Sequence, residues 1–338
     1  MNRRYFLHRL SLSVAGMALL PSCGIKTSNK IDNQSNVILK AGICADVHRD
    51  IIPDNELRLQ AFIDNMNERG DVDFIIQLGD FVNPYDYNIP FMNIWKKFQG
   101  PGYHVMGNHD TDYNFTQDQA VTFLGMKSPY YSFDTNGYHF IVLNGNESDP
   151  ANPIILDGPR TLYTNTGYDH HIGEEQRRWL ADDIDKTNLP VIVFCHQSLD
   201  EKLLGVDQAT AAHVRLIFEK ANEKTGFKKI RLVFSGHHHT DFHNIINDIH
   251  YLSINSMSFI WMGWEFKSEY YSKEIEEKYP LVKYIIPYKD PLWAVMTIYE
   301  NGEIAIEGKQ SGYSGTTPEE TGIVSPWHIP CISDRRLT

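Results

Sequence analysis

Short apolar runs alternate along this chain with longer segments whose apolar residues recur every three to four positions. That alternation predicts an α/β fold. Strands are expected over 37–45 and 72–78, with a helix between them that carries Leu57, Ala61, Phe62, Ile63 and Met66 on its apolar face. A helix over 89–98 and a strand over 103–106 make a second unit. Runs at 130–133 and 139–143 flank Asn136-Gly137, the turn chemistry of a hairpin. Further on, the pattern predicts a helix over 173–185 with Trp179, Leu180 and Ile184 inward, a strand over 191–195, a helix over 209–223 and a strand over 230–234. Strands over 249–254, 292–299 and 303–307 follow, the last two joined at Asn301-Gly302.

The ends and one internal stretch differ in texture. Residues 1–23 combine a basic head (Arg3, Arg4), a short apolar stretch over 10–20 and Pro21-Ser22-Cys23, which reads as an export signal. The apolar part falls well short of the ~20 residues that span a bilayer. The paired arginines look like a twin-arginine signal. Leu20-Pro21-Ser22-Cys23 looks like a bacterial lipoprotein box, with cleavage without a lipid as the alternative. The protein is therefore expected to be exported, either periplasmic or anchored to the membrane through a lipid on Cys23. Residues 24–36 read as a polar tether, 37–310 as the main domain, and 311–338 as a loop-rich tail. Within the domain, 259–293 carries ten aromatic residues and reads as an insertion near the mouth of any site, with a helical flap packed on the domain as the alternative.

Composition narrows the partners. The 338 residues carry a net charge of −12, and removing 1–22 takes away three arginines and no acid, leaving −15. A nucleic-acid backbone is thus not an expected partner. Cys44 and Cys195 lie inside apolar runs without a CxxC partner and read as buried strand residues rather than metal ligands.

The polar residues just past the strands carry the chemistry. They are Asp46-Val47-His48, Gly79-Asp80, Gly107-Asn108-His109-Asp110, His196 and Gly236-His237-His238-His239. Asp46 lies 34 residues before Asp80, and Asp80 lies 28 before Asn108, each close to one βαβ unit. Loops at the carboxyl ends of sheet strands are where sites form in open α/β folds. In this order the blocks resemble the calcineurin-like metallophosphoesterases (DxH, GD, GNH(D/E), H, GHxH). The resemblance implies a four-layer α/β sandwich with two mixed β-sheets flanked by helices. It also implies a dinuclear site of two divalent metal ions, with Asp80 as the bridge. Asp46, His48 and His239 would complete one ion, and Asn108, His196 and His237 the other. An oxygen and nitrogen donor set suits manganese, iron or zinc. The purple acid phosphatases are similar in most blocks but place Tyr three residues after the bridging Asp. Asn83 stands there, so a coloured iron(III) site is not expected.

The activity implied is hydrolysis of a small-molecule phosphate ester, monoester or diester. Two cations ~3.5–4 Å apart activate a shared water for in-line attack. His109 would protonate the leaving group or stabilise its charge, and Asp110 would orient the His109 ring. Gln77-Leu78-Gly79-Asp80, the stretch from Tyr103 to His109, and Tyr113-Asn114-Phe115 are similar to the manganese-dependent ADP-ribose/CDP-alcohol phosphatases. The same blocks fit the cyclic-nucleotide phosphodiesterases, and a metal-binding scaffold without activity is the non-enzyme alternative. Among the other histidines, His104, His139 and His250 read as structural and His213 as surface. His238 reads as a bystander, while His170, His171 and His243 are candidates to reach a substrate.

Overall fold

The computed structural model describes residues 36–148, 170–203, 205–323 and 325–338. The expected export signal over 1–23 and all but the last residue of the tether lie outside the described residues. In chain order the strands are β1 (Val37–Cys44), β2 (Phe74–Gln77), β3 (Gly102–His104), β4 (Tyr131–Thr135), β5 (Tyr138–Leu143), β6 (Val191–Cys195) and β7 (Ile230–Ser235). They continue as β8 (Phe242–Ile246), β9 (Ile249–Ser253), β10 (Phe259–Trp261), β11 (Ile285–Pro287), β12 (Ala294–Tyr299), β13 (Ile304–Glu307) and β14 (Arg335–Leu337). The helices are α1 (Asn55–Arg69), α2 (Ile89–Trp95), α3 (Gln117–Leu124), α4 (Glu174–Lys186), α5 (Gln208–Thr225), α6 (Lys273–Lys278) and α7 (Pro318–Thr321).

Two six-stranded sheets stack face to face, ordered β14-β13-β12-β1-β2-β3 and β4-β5-β6-β7-β9-β8. Both are mixed. In the first, β1, β2 and β3 run parallel while β12 pairs antiparallel with β1. In the second, β5, β6, β7 and β9 run parallel, with β4 and β8 antiparallel at the edges. Alternate side chains sort into three apolar layers, as the strand period of two demands. Leu39, Ala41, Ile43, Phe74 and Ile76 meet Phe140, Val142, Phe194 and Phe234 between the sheets. Cys44, Ile75 and Val295 face α1 and α2 through Phe62, Ile63 and Trp95. Ile141, Val193 and Cys195 face α4 and α5 through Leu180 and Phe218. The result is the expected four-layer sandwich, and both cysteines near the ligand blocks are buried and free.

The hairpin between β4 and β5 turns on Asn136 (φ 47°) and Gly137 (φ 78°), both in the left-handed region that this turn requires. Three local expectations differ from what the structure shows. On α1, Leu57 and Ala61 face solvent while Arg58 and Leu59 are buried. Positions 57 and 61 lie two residues before 59 and 63, about 200° round the helix, so they cannot share the inward face. Strand β8 was not expected, because its Phe242-His243-Asn244 start has a mixed pattern suited to a half-covered edge. The tail over 311–338 is mostly loop, yet it contains α7 and ends in β14, which pairs with β13.

The 259–293 stretch forms a two-stranded ribbon of β10 and β11, with α6 between them. Among the described residues no helix is long and apolar enough to cross a membrane.

Candidate metal centre

The parallel strands of both sheets end on the same side, so the loops after β1, β2, β3, β6 and β7 converge. Asp46, Asp80, Asn108, His196 and His237 are thereby brought within side-chain reach although they span 191 positions of sequence. Two groups of donor atoms form, each within 4.8 Å: Asp46, His48 and His239, and Asp80, His196 and His237.

In the first group, His48 Nε2 lies 3.0 Å from His239 Nε2, and His239 Nε2 lies 3.3 Å from Asp46 Oδ1. In the second, His196 Nε2 lies 3.2 Å from Asp80 Oδ2 and 3.1 Å from Asn108 Oδ1. The groups meet at Asp80, whose Oδ2 is also 3.7 Å from His48 Nε2.

Backbone carbonyls set the histidine tautomers. A carbonyl can only accept, so His196 Nδ1–H donates to Leu78 O (2.7 Å) and His239 Nδ1–H donates to Phe259 O (3.2 Å). Both rings therefore turn Nε2 inward, the atom left for a metal to take. Burial holds His48 and His237 well below the usual imidazole range, so both are neutral donors near pH 7. Asp80 is held well below the usual carboxylate range: burial opposes its charge, and the imidazoles of His196 and His109 outweigh it. This donor set fits a pair of divalent cations. It gathers imidazole nitrogens and two carboxylates in a dry site, an arrangement that positive charge stabilises.

The backbone is strained at the same place. Ten described non-glycine residues have positive φ, and five are Asp46 (49°), His48 (52°), Asp80 (52°), His237 (66°) and His239 (48°). Each costs on the order of 1–3 kcal/mol, and such strain collects at functional sites. The glycines of the blocks answer to close approach. A Cβ on Gly107 would overlap the backbone nitrogen and Oδ1 of Asp80, and one on Gly79 would overlap the His196 ring.

His109 stands beside this centre, its ring 5.5 Å from that of His48. Its backbone N–H donates to Asp80 Oδ1 (2.8 Å). Its Nδ1 pairs with Asp112 Oδ2 at 2.7 Å, and not with Asp110. Burial disfavours charge on the ring, but the carboxylates of Asp80 and Asp112 push it up to about 10. Asp110 has other work. Its Oδ1 accepts from the Phe81 and Val82 N–H groups (2.7 and 3.0 Å) and its Oδ2 from Gly107 N–H (2.7 Å), which ties the two ligand loops together. Burial and the Asp80 charge push Asp110 up to about 7, against those three donors. The expectation that Asp110 orients His109 is therefore corrected. Residues 109–111 form one 3-10 turn, which aims the side chain three positions on, Asp112, back at the ring. An acid at that spacing was the available signal.

Asn83 donates from Nδ2 to the His109 carbonyl (2.6 Å). The aromatic ribbon supplies Phe259, whose ring lies 5.2 Å from His48 and 5.0 Å from His239. His104, His139 and His250 are bonded within the fold, to Gln77, to Asp134 and Asp183, and to His243. That last bond occupies His243, and His171 is held by Asp207 and Thr210. His238 packs edge-on against His237 outside both donor groups. His170 stands perpendicular to His237 at 4.8 Å, and burial lowers it to about 4.

Comparison with known proteins agrees with this geometry. The family model for calcineurin-like phosphoesterases matches residues 39–241. The chain is 25% identical over 224 residues to a manganese-dependent ADP-ribose/CDP-alcohol diphosphatase of Arabidopsis thaliana, covering 54% of this chain and 70% of that protein. A protein of the same name from Oryza sativa subsp. japonica is 25% identical over 263 residues, covering 60% and 78%. Among solved structures, a dimetal phosphatase from Danio rerio shares the fold with a TM-score of 0.57 at 12% identity, over 90% of this chain and 99% of that one.

Proposed function

The chain belongs to the calcineurin-like phosphoesterase family, and from that premise we propose that it cleaves the diphosphate link of nucleoside-diphosphate esters with manganese as its metal. It is a metal-dependent hydrolase of small-molecule phosphate esters with two divalent ions as cofactors. The observation that carries the residue assignment is Asp80, whose Oδ2 faces a histidine of each donor group. Asp80 would then be shared by both ions. Asp46, His48 and His239 would hold one, and Asn108, His196 and His237 the other. When bound, such a pair polarises phosphoryl oxygens, lowers the pKa of a shared water and neutralises charge during in-line displacement.

The chain's own residues do the rest. His109 places a protonated ring beside the centre and serves the departing oxygen, either by proton transfer or by its charge. Asp112 holds that ring through Nδ1. Asp110 keeps the loops after β2 and β3 in register, and Phe259 screens His48 and His239 from water.

Two lines support the substrate class. The relatives from Arabidopsis thaliana and Oryza sativa are named for ADP-ribose and CDP-alcohols. The loop that carries His109 and Asp112 continues into Tyr113, which is 41% exposed. It joins Tyr85, Tyr87 (62% exposed) and Phe115 in one aromatic patch. A base stacked on such a surface gains ~1–3 kcal/mol. We place the protein in the cell envelope on the leader over 1–23.

The test is turnover by the manganese-loaded chain on ADP-ribose, CDP-glycerol, p-nitrophenyl phosphate and its bis-ester, with Asp80→Ala as control. Release of AMP or CMP from the first two is expected. Turnover of only the p-nitrophenyl esters would replace the diphosphate reading with a broad phosphatase or phosphodiesterase. No turnover on any ester with two ions bound would leave a scaffold.

A further inference from the structure

A run of hydrogen bonds behind the metal centre settles the protonation of one more histidine. It begins at the carbonyl of Met106, just before the Gly107–Asp110 block. A carbonyl only accepts, so Asn146 presents Nδ2 to it (2.9 Å), and the same Nδ2 reaches Asn144 Oδ1 (3.0 Å). Asn146 Oδ1 is thereby an acceptor, and it takes a hydrogen from Gln197 Nε2 (2.5 Å). The other hydrogen of that amide meets His170 Nδ1 at 3.1 Å. An amide nitrogen only donates, so Nδ1 accepts and carries no proton. The neutral ring therefore bears its hydrogen on Nε2.

That Nε2 is buried and has no partner among the described residues, in a side chain that is 5% exposed. Buried donors are almost always paired, so one left over at a site edge points to a ligand. The ring's neighbour is His237, which in turn lies 5.1 Å from His196. His170 thus borders the second donor group.

We propose that His170 is a substrate-binding residue whose Nε2–H donates to a phosphoryl oxygen held beside His196 and His237. Gln197 and Asn146 are positioning residues that keep the ring in the donating tautomer. This rests on the reading of the centre as a two-metal phosphate site, but not on turnover or on which ester is cleaved.

The experiment uses the full chain loaded with zinc, which is diamagnetic, and inorganic phosphate as the probe. Long-range 1H–15N correlation spectra of the histidines should show a ring protonated on Nε2, whose signal vanishes in His170→Ala. Calorimetry should show phosphate binding weakened about tenfold or more in His170→Ala. Two ions per chain should remain bound. His170→Gln, which sets an amide N–H close to the same point, should recover binding to within about threefold of wild type. A ring protonated on Nδ1, phosphate binding unchanged in His170→Ala, or equal weakening in the Ala and Gln variants would each overturn the proposal. Should no phosphate ester be turned over while phosphate binding still depends on His170, the hydrolase reading fails and this one stands.

Discussion

Replacing Asp112 with Asn isolates what the carboxylate does for His109. The two side chains meet at 2.7 Å, and the Asp112 carboxylate is almost fully buried. Asn keeps an oxygen for Nδ1–H but removes the charge. A charge-assisted hydrogen bond in a dry setting contributes ~1.5–3 kcal/mol, roughly twice a neutral one. Losing about half of that is worth ~0.75–1.5 kcal/mol, or roughly four- to tenfold in rate. Asp112→Ala removes all of it and should cost up to ~100-fold. The assay compares kcat/KM on an alkyl ester and the p-nitrophenyl ester of one nucleotide. The alkyl group leaves only with help, whereas p-nitrophenolate leaves unaided. The loss should therefore fall on the alkyl ester, with metal stoichiometry and thermal midpoint unchanged. Equal losses on both esters, or a change below about twofold on the alkyl ester, would refute the claim that Asp112 acts through His109.

Asp110→Asn should fail differently. One oxygen that accepts backbone N–H becomes a donor facing a donor, at a cost of ~1–3 kcal/mol per unmet bond. Calorimetry should show a lower thermal midpoint and weaker metal binding, and an unchanged midpoint would contradict the assignment. Tyr113→Ala should raise KM for nucleoside-diphosphate esters about tenfold with kcat preserved. Equal effects on glycerol phosphate would remove the stacking role. A further expectation concerns pH in metal-free protein. Burial, with the charge of Lys96, holds His104 at about 3. Between the ordinary imidazole value and that point the unfolded chain binds the proton and the native one does not. Stability is therefore full above the ordinary value and falls by about 1.4 kcal/mol per pH unit on acidification. Urea midpoints from pH 6.5 downward should fall less steeply in His104→Gln, and parallel curves would count against it.

The metal-site residues could be found in the chain because each follows a strand whose apolar pattern is unmistakable. Asp46, Asp80, Asn108, His196 and His237 each trail such a run. Loops at one sheet edge converge whatever the helices between them do. The apolar pattern alone showed only an α/β fold, and the four layers were implied by the resemblance of these blocks to the calcineurin-like metallophosphoesterases.

Several features were decided only by packing in three dimensions. Arg58 is buried on α1 because its guanidinium reaches the Tyr288 carbonyl (2.7 Å) 230 positions away, a partner that no local pattern reveals. Strand β14 exists because β13 offers an open edge. Asp110 was the expected partner of His109. The tight turn over 109–111 instead brought Asp112 to the ring and sent Asp110 to three backbone donors. The sequence also presented His170, His171 and His243 as equals, until Asp207 and Thr210 occupied His171, His250 on the adjacent strand occupied His243, and His170 was left bordering the candidate centre. Sequence determines which chemical groups are present and at which strand ends they stand. Direction at the level of a single side chain comes from turns and long-range partners, because a rotation of one residue exchanges a catalytic partner for a structural one.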